Sequence, residues 1–209
     1  MSTAGADDDV PPPRVPREYV DGWEPVERSV ERLFGVEGAD VRGHTVVYED
    51  RQLRRAVREA TDGDVDQLWR FCFATRLAFR PPLAPGVAPL ILPSVRRHAT
   101  RAFCDDLRER GVETVETGRR ERVRTDDRRR RRIRQVTGTV TTAAGTVTIE
   151  GWICVFHDED IYMAGGAYPR SSLAEALALD ETAETDGHPL QRDPAADRDH
   201  LLDFVTAVG

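Results

Sequence analysis

The chain has 209 residues, of which 30 are basic and 37 acidic, and its formal net charge is −7. Hydrophobic residues make up 39% and charged residues 32% of this composition, which is typical of a polar globular protein with one domain. No stretch approaches the roughly 18 to 20 apolar residues that a membrane-spanning helix needs. We therefore expect no membrane span.

The three cysteines are far apart in the sequence, and each lies within an apolar pattern. Cys72, Cys104 and Cys154 form no CxxC pair, and their odd number argues against a disulfide framework and a structural zinc site. The first residues are acidic and rich in proline and have no apolar run of the signal-peptide kind. We expect a cytoplasmic protein that holds no metal and no cofactor.

The first sixty residues predict a tail, two helices and a strand. Residues 1–20 have low hydrophobicity and predict a disordered N-terminal tail. In VERSVERLF (26–34) the apolar residues recur at helical spacing before Gly35, which predicts a helix. ADVRGHTVVYED (39–50) alternates as a strand does, and Asp50 is placed to cap a second helix.

The clearest strand is WRFCFATRLAFR (69–80), in which an aromatic face alternates with a face of small and basic residues. Strict period two with aromatic enrichment predicts a half-buried strand. The proline-rich loop Pro81 to Pro93 follows, and it is a cover over the sheet, the lid of a pocket or a surface for a partner. Ser94 is placed to cap a long helix that ends before Gly111.

Residues 112–170 predict four strands with short connections, which should pair as an antiparallel meander. Residues 181–209 predict an acidic linker and a short C-terminal helix. The expected fold is α+β, with an antiparallel sheet of five to six strands, a C-terminal four-stranded meander and helices covering one face. One domain should span residues 21–180.

The run RRERVRTDDRRRRRIR, residues 119–134, contains ten arginines and three acidic residues. It straddles the first turn of the meander, where Arg130, Arg132 and Arg134 should share one face and Arg131 the other. Two arginine-rich strands that face each other should repel. The candidate contacts for an anion or a nucleic acid are Arg119, Arg120, Arg122, Arg124, Arg128, Arg129, Arg130, Arg131, Arg132 and Arg134.

Three interpretations of this run remain open. It is a solvated hairpin tip, a contact for nucleic acid or polyphosphate, or a contact for an acidic protein partner. Residues 119–134 contain no aromatic side chain of the kind that stacks on single-stranded bases. If the cell interior is molar in salt, the Debye length there is about 3 Å, and the attraction of arginines to phosphate is weak. These points favour the hairpin tip.

Other residues give few signs of chemistry. The pair Gly165 and Gly166, followed by Tyr168, indicates either close packing of a strand or a ligand that approaches the backbone. His157 to Asp160 group four potential ligands at a hairpin turn, but polar turns of this kind are common. No nucleophile elbow, phosphate-binding loop or dinucleotide-binding glycine motif occurs, so we expect a protein without enzymatic activity.

The segments WRFCFATRLAFRPPL and GWICVFHDEDIYMAGGAYP resemble those of conserved uncharacterised haloarchaeal proteins. They are more loosely similar to haloarchaeal lipoproteins whose last strands end in Gly-x-Tyr-Pro, although this chain has no lipobox cysteine. The resemblance implies no established activity. The sequence thus predicts a non-enzymatic intracellular binding or interaction module. It does not identify the partner, for which a protein is one candidate. The alternative is a nucleic-acid-associated protein that uses Arg119 to Arg134.

Overall fold

One antiparallel sheet organises the chain in the computed structural model, which describes residues 10–36, 38–125, 128–179 and 188–209. The described residues form seven strands: β1 (Glu24–Val36), β2 (Ala39–Glu49), β3 (Phe71–Arg80), β4 (Glu113–Arg124), β5 (Arg130–Thr141), β6 (Thr146–His157) and β7 (Ile161–Pro169). Their order in the sheet is β1-β2-β3-β7-β6-β5-β4, so β1 and β4 are its edges. The predicted α+β class with an antiparallel sheet is confirmed.

Helices lie on both faces of this sheet. They are α1 (Arg51–Ala60), α2 (Ala88–Glu109), α3 (Leu173–Ala176) and α4 (Pro194–Ala207), with short 3-10 helices at Arg17–Tyr19 and Pro189–Gln191. The first three pack on one face, here called the α2 face, and α4 packs on the other, here called the α4 face. Among the described residues, no helix combines the length and apolar character that crossing a membrane requires.

Each face has its own apolar core. On the α2 face, Phe103 of α2 packs against Phe73 with ring centres 5.4 Å apart. On the α4 face, Phe204 is fully buried in the same cluster as Trp152. Burying a side chain of this size stabilises the fold by about 1.5–3 kcal/mol. The two cores explain why strands β6 and β7 carry apolar residues on both sides.

The prediction that helices cover one face is wrong, and so is the half-buried assignment of β3. The first five residues of β3 are all buried, on both faces. The cause is α4, whose Leu201 and Val205 fill the face that the alternation of β3 had left for solvent. This coverage is a long-range contact, and a strand's own period carries no information about it.

The helix predicted at residues 26–34 is also wrong, because this segment lies within strand β1. As an edge strand it is polar on both faces, and Val26 and Val30 are 37% and 38% exposed. A register shift between Arg32 and Phe34 places Leu33 and Phe34 together against the core. Such a bulge interrupts the period of two, and the apolar residues then recur at a spacing that imitates a helix.

The four predicted strands from residue 112 onward do pair as a meander, β4 to β7, within the larger sheet. The sheet has seven strands where five to six were expected, because β1 adds a strand and pairs with β2 around Gly38. Helix α2 begins at Ala88, earlier than the predicted cap at Ser94, and includes Pro93. The cap predicted at Asp50 is confirmed, since its side chain accepts from the Leu53 N–H.

The expected domain limits stay a prediction. Residues 1–9 of the predicted tail and 180–187 of the predicted linker lie outside the described residues. In the described part of the predicted tail, Val15, Tyr19 and Val20 pack against the core of the α4 face.

The three cysteines, Cys72, Cys104 and Cys154, are buried free thiols, as their apolar surroundings predicted. Burial raises the pKa of Cys154 to about 12.

Candidate anion-binding surface

Six arginines of the β4–β5 hairpin share the α2 face of the sheet. Alternate side chains of a strand point to opposite faces, and Val136 and Val140 of β5 lie in the core beneath α2. The even-numbered residues of β5 therefore belong to this face, and the register places even-numbered residues of β4 opposite them. The arginine face consists of Arg120, Arg122, Arg124, Arg130, Arg132 and Arg134.

Each member of the arginine face lies directly opposite another, in the pairs Arg120–Arg134, Arg122–Arg132 and Arg124–Arg130. Directly opposed side chains have Cβ atoms about 4.5–5.5 Å apart, and like charges at this distance destabilise a sheet. Arg134 donates to Thr117 Oγ1 at 3.0 Å, and the other five side chains are exposed. Within the described ranges, none of the six forms an ion pair.

Helix α2 adds positive charge beside the arginine face. The Nη2 group of Arg108 donates to the Val115 carbonyl at 3.1 Å, so this side of the helix is turned toward β4. Arg101 lies two turns earlier on the same side and is exposed. Burial lowers the pKa of Arg96, and the positive charge of Arg132 acts in the same direction. The charge of Arg108 is itself paired with Asp105 at 2.7 Å, so the positive charge that the helix adds comes from Arg96 and Arg101.

Arg131 has a different environment, because it lies on the α4 face. Its Nη1 group donates to the carbonyls of Val205 and Val208 at 2.8 and 2.9 Å, at the C-terminal end of α4. Its guanidinium carbon lies 3.4 Å from the centre of the Phe156 ring. A cation at a helix C-terminus and over an aromatic ring is favourable in both places. Arg131 therefore fastens α4 to the sheet.

Arg119 also lies on the α4 face, where it forms an ion pair with Glu121. Arg198 of α4 binds the same carboxylate at 2.9 Å. The guanidinium carbons of Arg119 and Arg198 lie 5.6 and 5.4 Å from the centre of the Trp152 ring. Sequence reasoning missed these aromatic partners, since they come from β6 and not from residues 119–134. The only local sign of these partners was that Trp152, Cys154 and Phe156 recur at every second position of β6 and so share one face.

The tip of the hairpin contacts the next turn of the meander. Arg129 Nη1 donates to Asp158 Oδ1 at 2.6 Å, while Arg128 is exposed with φ of 66°. In the same turn Asp160 pairs with Arg76 at 2.5 Å. Two of the three carboxylates in the cluster 157–160 thus bind arginines. Of the ten predicted arginines, Arg119, Arg129 and Arg131 contact other elements, Arg128 is exposed at the tip, and the other six lie on the α2 face.

The glycine pair lies where neighbouring strands and helix α4 come close. A Cβ atom on Gly166 would lie 2.1 Å from the Phe71 carbonyl oxygen and 2.9 Å from Leu201 of α4. A Cβ atom on Gly165 would lie 2.5 Å from the Trp152 carbonyl oxygen. These distances are shorter than van der Waals contact, so the chain itself fills the space that a ligand would need.

Tyr168 belongs to a buried polar cluster around Glu150. The Glu150 carboxylate accepts hydrogen bonds from the Tyr168 hydroxyl at 2.7 Å, from Trp152 Nε1 at 3.0 Å and from Gln135 Nε2 at 3.0 Å. Burial raises the pKa of Tyr168, and its bond to Glu150 raises it further. The three donors satisfy a carboxylate that would otherwise be costly to bury. This cluster locks β5, β6 and β7 together.

A second buried network joins both ends of the chain to the sheet. Arg70 donates to Asp50 at 2.8 Å and to Asp197 of α4 at 2.9 Å, and Arg192 reaches Asp197 at 3.1 Å. The guanidinium carbon of Arg70 lies 4.6 Å from the Trp23 ring centre. Nothing local in the sequence indicated this network, because its members come from four distant segments.

A groove of about 490 Å³ lies beside the loop predicted as a cover or lid. Its walls are Leu77 and Phe79 of β3, the loop from Pro82 to Gly86, and the turn at His157. It also borders the Arg76–Asp160 ion pair. The groove is open to solvent, and two of its charged side chains, Arg76 and Asp160, pair with each other.

The fold and the surface define an α+β protein whose edge hairpin carries exposed arginines in opposed pairs on one face. The DUF6517 family, a domain of unknown function, matches residues 12–209, and the chain belongs to this family. No curated protein and no protein of solved structure matches the chain.

Proposed function

We propose that this protein is a non-enzymatic binding module that binds an acidic partner through the arginine face. The observation that carries this proposal is the set of three opposed arginine pairs without an ion pair among the described residues. Each opposed pair costs the free protein stability, because like charges repel across strands. A bound polyanion would place negative charge between the opposed arginines, and its attraction to each guanidinium group would offset their mutual repulsion.

The contrast with the rest of the chain supports the proposal. Several arginines elsewhere pair with carboxylates, as Arg70 does with Asp50. Others, such as Arg28 and Arg58, are exposed and form no ion pair among the described residues. The chain has 37 acidic residues in total, more than enough to neutralise its 30 arginines. What distinguishes the arginine face is that three directly opposed pairs of arginines lie next to one another.

A titration with fluorescently labelled polyglutamate tests the proposal. The variant R122S/R124S/R130S/R132S removes four exposed charges from the arginine face. Its matched control, R17S/R28S/R55S/R58S, removes four exposed arginines from other elements. If each of the four arginines contributes about 0.2–1 kcal/mol, the first variant should bind about fourfold to nearly a thousandfold more weakly. The control should bind as the wild type does.

Equal affinities of the wild type, the variant and the control would contradict the proposal. Duplex DNA and single-stranded RNA of the same charge belong in the same titration. Tighter binding of DNA or RNA than of polyglutamate would favour the nucleic-acid alternative. For the compartment, we propose the cytoplasm, and the free thiols of the three cysteines support a reducing environment.

A further inference from the structure

Among the described strands β4 has only one neighbour, and its outer edge displays backbone hydrogen-bonding groups at the same residues that carry the arginines. At the hairpin end, the Thr125 N–H donates to the Arg129 carbonyl at 3.1 Å. Backbone groups of an antiparallel strand alternate in direction, so Val123 and Glu121 also turn theirs toward β5. The N–H and C=O groups of Arg120, Arg122 and Arg124 therefore point away from β5, toward the open edge.

An added strand would meet side chains and backbone in one register. In an antiparallel pair, residues that exchange both backbone hydrogen bonds have their side chains on the same face. A residue paired with Arg122 would thus place its side chain beside the Arg122 guanidinium. Alternate residues of an extended chain are about 6.8 Å apart in both strands, so residues paired with Arg120 and Arg124 would match as well.

The sign of the charge selects the occupant. A second copy pairing through β4 would set arginines beside arginines, which opposes self-association at this edge. An extended segment with carboxylates at alternate positions would instead place each one between neighbouring guanidinium groups. Nucleic acid has no backbone donors and acceptors in the repeat of a strand. The aromatic rings near the hairpin, Trp152 and Phe156, lie on the opposite face of the sheet.

We propose that β4 binds an extended acidic segment of a partner protein as an eighth, antiparallel strand. The inference rests on the proposed function and specifies the partner. Main-chain hydrogen bonds to Arg120, Arg122 and Arg124 supply the strand geometry, and the arginine face selects acidic side chains at every second residue. The opposite edge of the sheet, β1, carries mixed charges, with Glu27 beside Arg28 and Glu31 beside Arg32, and does not offer this pattern.

Four labelled ten-residue peptides of equal charge test the proposal by fluorescence anisotropy. The first alternates glutamate and threonine. The second carries N-methyl groups on its glutamates, which face β4 in the proposed register, and the third carries them on its threonines, which face away. The fourth has all its glutamates in one block. We expect the first and third to bind alike, and the second and fourth to bind about tenfold more weakly or worse.

Amide hydrogen exchange with the alternating peptide gives an independent measurement on the whole protein. Exchange should slow at Arg120, Arg122 and Arg124 and stay unchanged at Glu121 and Val123, which already bond to β5. Equal binding of all four peptides, or slowing without this alternation, would overturn strand addition while leaving the arginine face as a polyanion site. Tighter binding of duplex DNA than of the alternating peptide would also overturn it. Loss of all polyanion binding would overturn both proposals.

Discussion

Arg130 and Arg131 are neighbours in sequence with different environments, and this contrast gives a test at the scale of one residue. Arg131 donates to two carbonyls at the end of α4 and covers the Phe156 ring. Arg130 is exposed on the arginine face. The two side chains therefore separate the structural role of the run from its proposed binding role.

We expect Arg131→Ala to lower the free energy of unfolding by about 1–3 kcal/mol. The substitution removes two hydrogen bonds from a charged donor and leaves the carbonyls of Val205 and Val208 without that donor. Arg130→Ala should change the same quantity by less than about 0.5 kcal/mol, as exposed substitutions usually do. Urea denaturation of both variants measures the difference. Equal destabilisation by the two would show that Arg131 does not fasten α4.

His200 of α4 predicts a pH dependence of stability. Its ring stacks on Trp23 with centres 4.9 Å apart, and its Nε2 lies 3.0 Å from the Tyr19 carbonyl oxygen. Burial lowers the pKa of His200, and the charges of Arg70 and Arg192 act in the same direction, against opposite effects of the Tyr19 bond and Asp197. The folded protein thus takes up this proton less readily than the unfolded chain.

Stability should therefore fall as the pH drops below about 6.5, the unperturbed histidine value. Above it, both states hold a neutral imidazole and this dependence vanishes. We expect the unfolding free energy of the wild type to fall, relative to that of His200→Gln, as the pH drops from about 7.5 to about 5.5. Urea titrations at several pH values measure this difference, and a constant difference would contradict the assignment.

At the scale of elements, the β4–β5 hairpin combines two opposite tasks. Its α4 face holds Arg119 and Arg131 against α4, and its α2 face exposes opposed arginines. If those arginines are kept for binding, their removal should stabilise the free protein. Functional surfaces of this kind commonly lower stability.

The paired variant R122T/R132T tests this cost. Threonine favours strands, and the substitution removes one directly opposed pair. We expect the free energy of unfolding to rise by about 0.2–1 kcal/mol at low ionic strength, with a smaller gain in high salt, where the repulsion is screened. Thermal and urea denaturation at two salt concentrations measure it. Lower stability of the variant in low salt would contradict the repulsion.

The meander and the alternation within β5 could be predicted from sequence, because short connections and period two are local signals. The same alternation correctly separated Arg130, Arg132 and Arg134 from Arg131. Strand β1 could not be predicted, since its edge position and its register shift near Leu33 remove the period of two. The roles of the ten arginines could not be predicted either. They depend on α4, which returns from the far end of the chain.

At the scale of the whole molecule, the central claim is that an acidic chain has a local basic surface. The ten arginines of residues 119–134 contrast with a net charge of −7. Long-range attraction to a polyanion should be weak because of that net charge, and binding should rest on close contacts with the arginine face. Salt then screens each contact, so the salt dependence of affinity reflects their number.

The most direct test is the dependence of polyglutamate affinity on salt concentration for the wild type, R122S/R124S/R130S/R132S and the matched control R17S/R28S/R55S/R58S. We predict a steep fall in affinity with salt for the wild type and the control, and a much shallower fall for the variant of the arginine face. The same slope for all three proteins would contradict the claim that this face is the binding surface.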